Sequence, residues 1–103
     1  PLPTRLGKKT KRKRIDGSPL IYIVIEEEVF LAKSNPNKAF CIHKIHHEDG
    51  KEEFRIGYYM IAYKPRMRGK WAWGQYAPIM TKEEMVEIFN KLKAKGWVKN
   101  NDI

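Results

Sequence analysis

Apolar and polar positions follow the period of a sheet along most of the chain and the period of a helix only near its end. Leu20 to Ile25 is an unbroken β-branched and aromatic run, short enough for a strand buried on both faces. Glu26-Glu27-Glu28 interrupts it, and Val29-Phe30-Leu31-Ala32 either continues that strand past a bulge or begins another. Asn35-Pro36-Asn37 has turn chemistry, because Pro36 cannot donate to a ladder and asparagine tolerates unusual backbone angles. Residues 39–47 then read as a strand and 54–63 as its antiparallel partner, joined across Asp49-Gly50, a strong hairpin signal. Residues 71–77 supply one more strand, which Pro78 ends.

If Asp49 and Gly50 are the two central residues of a two-residue turn, the register follows by counting outward. His47 then faces Glu52, Ile45 faces Phe54, His43 faces Ile56 and Cys41 faces Tyr58. Alternation puts Cys41, His43, Ile45, Phe54, Ile56, Tyr58, Met60 and Ala62 on one face, expected to be the core. The other face carries Phe40, Ile42, Lys44, His46, Arg55, Gly57, Tyr59, Ile61 and Tyr63, with a glycine that would let a ligand approach the backbone. This is the expected binding face. A slip of one residue would exchange the roles of the two faces.

The helix is marked at both ends. Thr81 and Glu84 form a capping box, and Met85, Ile88, Phe89 and Leu92 recur at helical spacing as one apolar stripe that should pack on the sheet. Glu83, Glu84 and Glu87 lie toward the N-terminus and Lys91, Lys93 and Lys95 toward the C-terminus, each sign favourable to the helix dipole. Gly96 is placed to end the helix, with Trp97 folding back on its last turn. The elements together predict an α+β domain, a four- to five-stranded antiparallel sheet with one C-terminal amphipathic helix on its inner face.

Composition adds where function could lie. The chain of 103 residues is sized for one domain and carries a net charge of +9, of which Arg5, Lys8, Lys9, Lys11, Arg12, Lys13 and Arg14 supply 7 with no acid among residues 1–14. The remainder holds 14 basic and 12 acidic residues and is close to neutral. A run of this kind repels itself and lacks apolar periodicity, so residues 1–17 are expected to be a flexible tail ahead of a domain spanning 18–103. A polycationic arm gains affinity from counterion release at phosphates, which points to nucleic acid. A solvated tail that aids solubility is the plainer reading.

A second basic cluster, Lys64-Pro65-Arg66-Met67-Arg68-Gly69-Lys70, reads as a loop flanked by Tyr59, Tyr63, Trp71 and Trp73. Cations alternating with rings suit single-stranded nucleic acid, since cations track phosphates while bases stack on aromatic faces. Strand rings more often serve packing.

Other chemistry finds less support. Cys41, His43 and His47 alternate on one strand and could share an ion, but no second pair of cysteine or histidine ligands exists elsewhere in the chain. No phosphate-binding glycine loop, serine elbow or metalloprotease helix is present, which leaves a metal-dependent nuclease built on paired acids as a minor alternative. No run approaches the roughly 18 apolar residues of a membrane span, and a lone cysteine rules out an internal disulfide, so a cytoplasmic or nucleoid-associated protein with no cofactor is expected.

The closing stretch, a Tyr-rich strand, a basic turn, a strand and then Thr81-Lys82-Glu83-Glu84 leading an amphipathic helix, resembles the strand-to-helix end of the positive-coactivator and whirly-type single-stranded-DNA-binding proteins. The resemblance covers the last two-thirds of the chain in element order. It implies a curved antiparallel sheet bearing basic and aromatic residues, and a helix that serves a homodimer interface. The reading that unites these features is a non-enzymatic protein of single-stranded or structured DNA or RNA. Lys8, Lys9, Lys11, Arg12, Lys13 and Arg14 would grip phosphates, Lys44, Arg55, Lys64, Arg66, Arg68 and Lys70 would position the backbone, and Tyr59, Tyr63, Trp71 and Trp73 would stack. The rival is a small protein-interaction module using the same rings with Arg66, Met67 and Arg68.

Overall fold

The computed structural model describes residues 2–62, 68–74 and 76–102. Five strands form one antiparallel, curled sheet in sequence order, β1 (Lys9–Lys13), β2 (Pro19–Ala32), β3 (Asn35–His47), β4 (Glu52–Ile61) and β5 (Trp71–Trp73), followed by helix α1 (Lys82–Ala94). This is the α+β architecture that the hydrophobic pattern predicts.

The triple glutamate does not end β2. The strand runs through it with a register shift between Val24 and Glu26, so the bulge leaves Ile25 exposed and places Glu27 opposite His43. At the other end the reversal falls on Lys33-Ser34 and not on Asn35-Pro36-Asn37, which belong to β3. Pro36 and Asn37 sit in a second irregularity of the ladder, where a missing N–H costs no hydrogen bond.

The β3–β4 hairpin departs from the expected register by one residue. His47 and Lys51 bracket a three-residue loop, with the Gly50 amide donating to the His47 carbonyl at 3.0 Å and Gly50 at φ +93°. A type I turn followed by a left-handed glycine accounts for the extra residue. The pairs are therefore His43 with Arg55, Cys41 with Gly57, Ile42 with Ile56 and Phe40 with Tyr58. The β4 residues stay on their expected sides, whereas those of β3 are exchanged. Phe40 and Ile42 join Phe30, Ala32, Tyr58 and Ile88 in the helix-side core, with Met60, Met80, Leu92 and Trp97 packed against it. Cys41 and His43 point to the opposite side.

The helix begins with the capping box in full. Thr81 accepts from the Glu84 amide at 3.1 Å, and Glu84 accepts from the Thr81 amide at 2.8 Å. Glu84 also accepts from the Ser34 hydroxyl and amide, which ties the helix start to the β2–β3 turn. It is therefore fully buried, while Met85 of the expected stripe is 42% exposed. Burial alone would raise the Glu84 carboxyl, but the hydrogen bonds from Thr81 and Ser34 hold it below the usual range. At the far end Gly96, at φ +74°, donates to the Lys93 carbonyl and Trp97 donates to that of Leu92, a Schellman arrangement.

Where a flexible tail is expected, residues 9–13 form β1. It pairs with β2 from Lys9 opposite Ile23 to Lys13 opposite Pro19. The reversal uses Asp16-Gly17, the same dipeptide as the later hairpin: Gly17 stands at φ +85° and its amide donates to the Arg14 carbonyl at 2.9 Å. Backbone pairing, not apolar burial, holds this strand, so its lysines are no obstacle. Lysine also protects an edge strand from uncontrolled pairing.

Candidate nucleic-acid interface

The side of the sheet away from the helix is filled by its own polar side chains. Glu27 on β2 is the centre, with a side chain only 4% exposed. Its carboxylate accepts from the Thr4 hydroxyl at 2.5 Å, the Arg5 amide at 3.2 Å, the His43 Nε2 at 2.5 Å and the Tyr59 hydroxyl at 2.8 Å. Arg55 donates to His43 Nδ1 from Nε at 3.2 Å and from its terminal nitrogen at 3.0 Å, and donates to the Tyr22 hydroxyl at 2.7 Å. Because Nδ1 is an acceptor of arginine hydrogens, the ring proton lies on Nε2 and points at Glu27, so His43 is a neutral imidazole between a cation and an anion.

The electrostatics agree with that assignment. Burial, followed by the charges of Arg55 and Arg5, lowers His43 against the opposing pull of Glu27. Burial would raise Glu27, but hydrogen bonds from Thr4, His43, Tyr59 and Arg5 outweigh it and keep the carboxyl low. Tyr59 is pushed up by burial and by its bond to Glu27. The buried Cys41 thiol is pushed up to about 12, first by burial and then by the charge of Glu27.

Trp73 closes this side. Its ring stacks on His43 with centroids 5.6 Å apart and meets Tyr59 edge-on at 5.3 Å. The Arg5 and Arg55 guanidinium carbons lie 4.7 and 4.8 Å from its centroid. Gly57 makes room for it, since a Cβ there would stand 2.4 Å from Trp73 Cη2. The close approach expected at Gly57 is thus made by the chain's own indole. Gly74 does the same for Tyr58, whose ring would lie 2.2 Å from an added Cβ, and β5 stops at Trp73 instead of running to Ala77.

These contacts revise the stacking half of the expected site. Tyr59 is 3% exposed with its hydroxyl spent on Glu27, so it offers no base a free face. Trp73 is half-buried against His43 and two guanidinium groups, and Trp71 is half-buried on the same strand. Arg55 is held by His43 and Tyr22, and Lys44 lies on the helix side between Glu26 at 3.4 Å and Glu52 at 3.6 Å. Tyr63, Lys64 and Arg66 fall outside the described residues; Arg68 and Lys70, which close the loop, are exposed.

The phosphate-gripping half stands differently. Lys8, Lys9, Lys11, Arg12, Lys13 and Arg14 are all exposed, and among the described residues no ion pair involves any of them. Strand geometry sorts them: Lys9, Lys11 and Lys13 lie on the helix side with Ile21 and Ile23, while Thr10 and Arg12 lie on the other with Tyr22. Alternate strand residues are about 7 Å apart, so the three lysines make an evenly spaced row of charge.

Among the described residues one cluster has the composition of a metal site. Glu27, Cys41 and His43 place donor atoms within 4.8 Å of one another, with Glu27 standing where His47 is expected. Both nitrogens of His43 are already engaged, the thiol is held protonated, and two guanidinium groups lie close by. That environment suits an acid–base knot and does not fit a cation. His47 lies beside Tyr22 and Glu53 instead. Among the described residues no helix is long and apolar enough to cross a membrane. Comparison with protein-family models, curated proteins and solved structures finds no match for this chain.

Proposed function

We propose that the protein binds nucleic acid through its sugar–phosphate backbone, using the cationic β1–β2 hairpin. The observation that carries this reading is the set of exposed cations from Lys8 to Arg14 with no acidic partner among the described residues. Held on a strand, the charges are ordered before any ligand arrives, which lowers the entropy lost on binding compared with a free tail. Arg68 and Lys70 add charge at the far end of the sheet. Ring stacking by Tyr59 and Trp73 drops out of the mechanism because both rings are engaged within the sheet, and the protein-interaction alternative loses the same two rings. Binding governed by phosphates is expected to be salt-dependent and largely indifferent to sequence.

The test replaces charge in place, since removing residues 1–14 would also remove β1 and two of the donors to Glu27. Changing Lys9, Lys11, Arg12 and Lys13 together to glutamine should leave thermal stability close to that of the parent. It should lower the slope of log affinity against log salt concentration by about 3, at 0.7 to 0.9 per phosphate contact. A parent that binds neither DNA nor RNA at low salt, or a variant with an unaltered slope, removes the hairpin from the interface.

A further inference from the structure

The two hairpins with Asp-Gly turns are built alike, and they differ at one position that the turn does not specify. Ile15-Asp16-Gly17 and Glu48-Asp49-Gly50 each place glycine in the left-handed region, at φ +85° and +93°. In each, the aspartate accepts from the amide two residues on, Ser18 at 2.9 Å and Lys51 at 3.0 Å. The first loop residue faces no demand beyond an ordinary type I turn. One hairpin puts Glu48 there, as a surface should have it. The other puts Ile15, whose side chain is fully exposed, the most exposed of the large apolar residues described.

A lone exposed isoleucine needs no explanation on most surfaces. Ile15 differs in where it stands. β2 and β3 are hydrogen-bonded as far as Ile21, whose carbonyl accepts from the Glu48 amide at 3.0 Å, while β1 and β2 stay paired out to Lys13 opposite Pro19. The hairpin therefore overhangs the ladder by Pro19 and Leu20, about 7 Å, and Ile15 is its tip. Lys13 and Arg14 immediately precede it, and Lys9, Lys11 and Arg12 line the strand behind. The Asp16 carboxylate beside it is turned back onto the Ser18 hydroxyl at 2.6 Å, and Glu48 and Asp49 border the arm on its β3 side. Phosphates are thus invited along the free edge of β1, with the apolar tip leading.

We propose that Ile15 is a wedge that enters between stacked base pairs of a duplex gripped by the hairpin's cations. A two-stranded ribbon fits a duplex groove, and side chains of this size and polarity unstack a base step when backbone contacts hold the protein against it. The inference rests on the nucleic-acid reading above and deepens it by naming a duplex that the protein distorts. The apolar tip gains burial only when a step opens, so pyrimidine–purine steps, which unstack most easily, are preferred.

The experiment uses the full chain with a duplex of alternating A and T carrying 2-aminopurine throughout, and a second copy labelled at both ends for energy transfer. Wild type should raise 2-aminopurine fluorescence and bring the ends together. Ile15→Ser should bind with the same salt slope and about fivefold lower affinity, without either signal, and Ile15→Leu should restore both. An unchanged thermal midpoint in both variants is expected, because the side chain touches nothing in the fold. Failure of the wild type to bind any nucleic acid sinks the functional reading itself. Salt-dependent binding with no fluorescence change, or the same change with Ile15→Ser, overturns the wedge and leaves that reading standing. If Ile15→Ser matches wild type on the duplex but releases the chain from anionic phospholipid vesicles, the tip serves a membrane surface and the wedge is equally overturned.

Discussion

Glu27→Gln is expected to be the most damaging single substitution of matched size in the chain. The carboxylate accepts from Thr4, Arg5, His43 and Tyr59, and an amide in its place must turn its NH2 group toward the Arg5 N–H, which reaches both oxygens and has no lone pair to offer, or toward the His43 Nε2–H as well. Breaking a buried charged network by removing one partner costs about 3–5 kcal/mol, against a total of roughly 5–15 kcal/mol for a small domain. The urea midpoint should fall by a large fraction of its value, with the Trp73 environment changing in the folded state. A wild-type midpoint would mean that the carboxylate is not ionised in the cluster. The same network sets the acid limb of stability. Glu27 lies below its usual 4.5 and His43 below its usual 6.5 in the folded chain, so the unfolded chain takes up these protons first as pH falls. Stability rises with pH wherever the unfolded state binds more protons. The contribution is therefore full above about pH 6.5, begins to fall below that through His43, and falls further below about 4.5 through Glu27. Glu27→Gln should flatten the lower part of this profile.

Gly57→Ala should destabilise by about 1–3 kcal/mol, the range for overpacking by a single group. Gly57 is not among the glycines with positive φ, so the cost is steric and not conformational. Alanine would otherwise be the better strand residue. Its Cβ would meet Trp73 Cη2 at 2.4 Å, with Cζ2 and Cζ3 at 3.1 Å, and the indole can leave only by giving up His43, Arg5 and Arg55. The double variant Gly57→Ala with Trp73→Leu should be less destabilised than the sum of the two single changes, because the clash disappears with the ring. Additive losses in chemical denaturation would place the cost of Gly57→Ala elsewhere.

The parts of this fold that were legible in the sequence are those fixed by local chemistry. Thr81 and Glu84 at the helix start, Gly96 at its end and the Asp-Gly reversal each act within a few residues. Loop length is less visible: two- and three-residue turns share Asp49-Gly50, and the single residue between them moved Cys41 and His43 away from the helix and Phe40 and Ile42 toward it. β1 was hidden by its composition, although Asp16-Gly17 between residues 9–13 and the apolar run at Leu20 carried the same turn signal. The Glu27 cluster was illegible for another reason. Only the bulge after Val24 decides which glutamate of the three faces inward, and the donors come from three separate segments.

The order of the strands carries a consequence for how the chain reaches this structure. Each strand pairs with its neighbour in sequence, so the ladders can grow in sequence order from one strand to the next. The exception is the start of the chain, where Arg5 must find Glu27 and then Trp73 on the last strand. Its partners exist only once β2 to β5 have assembled. Thr4 and Arg5 therefore span the sheet from β2 to β5, and their full set of contacts requires Glu27 and Trp73 to be in place together.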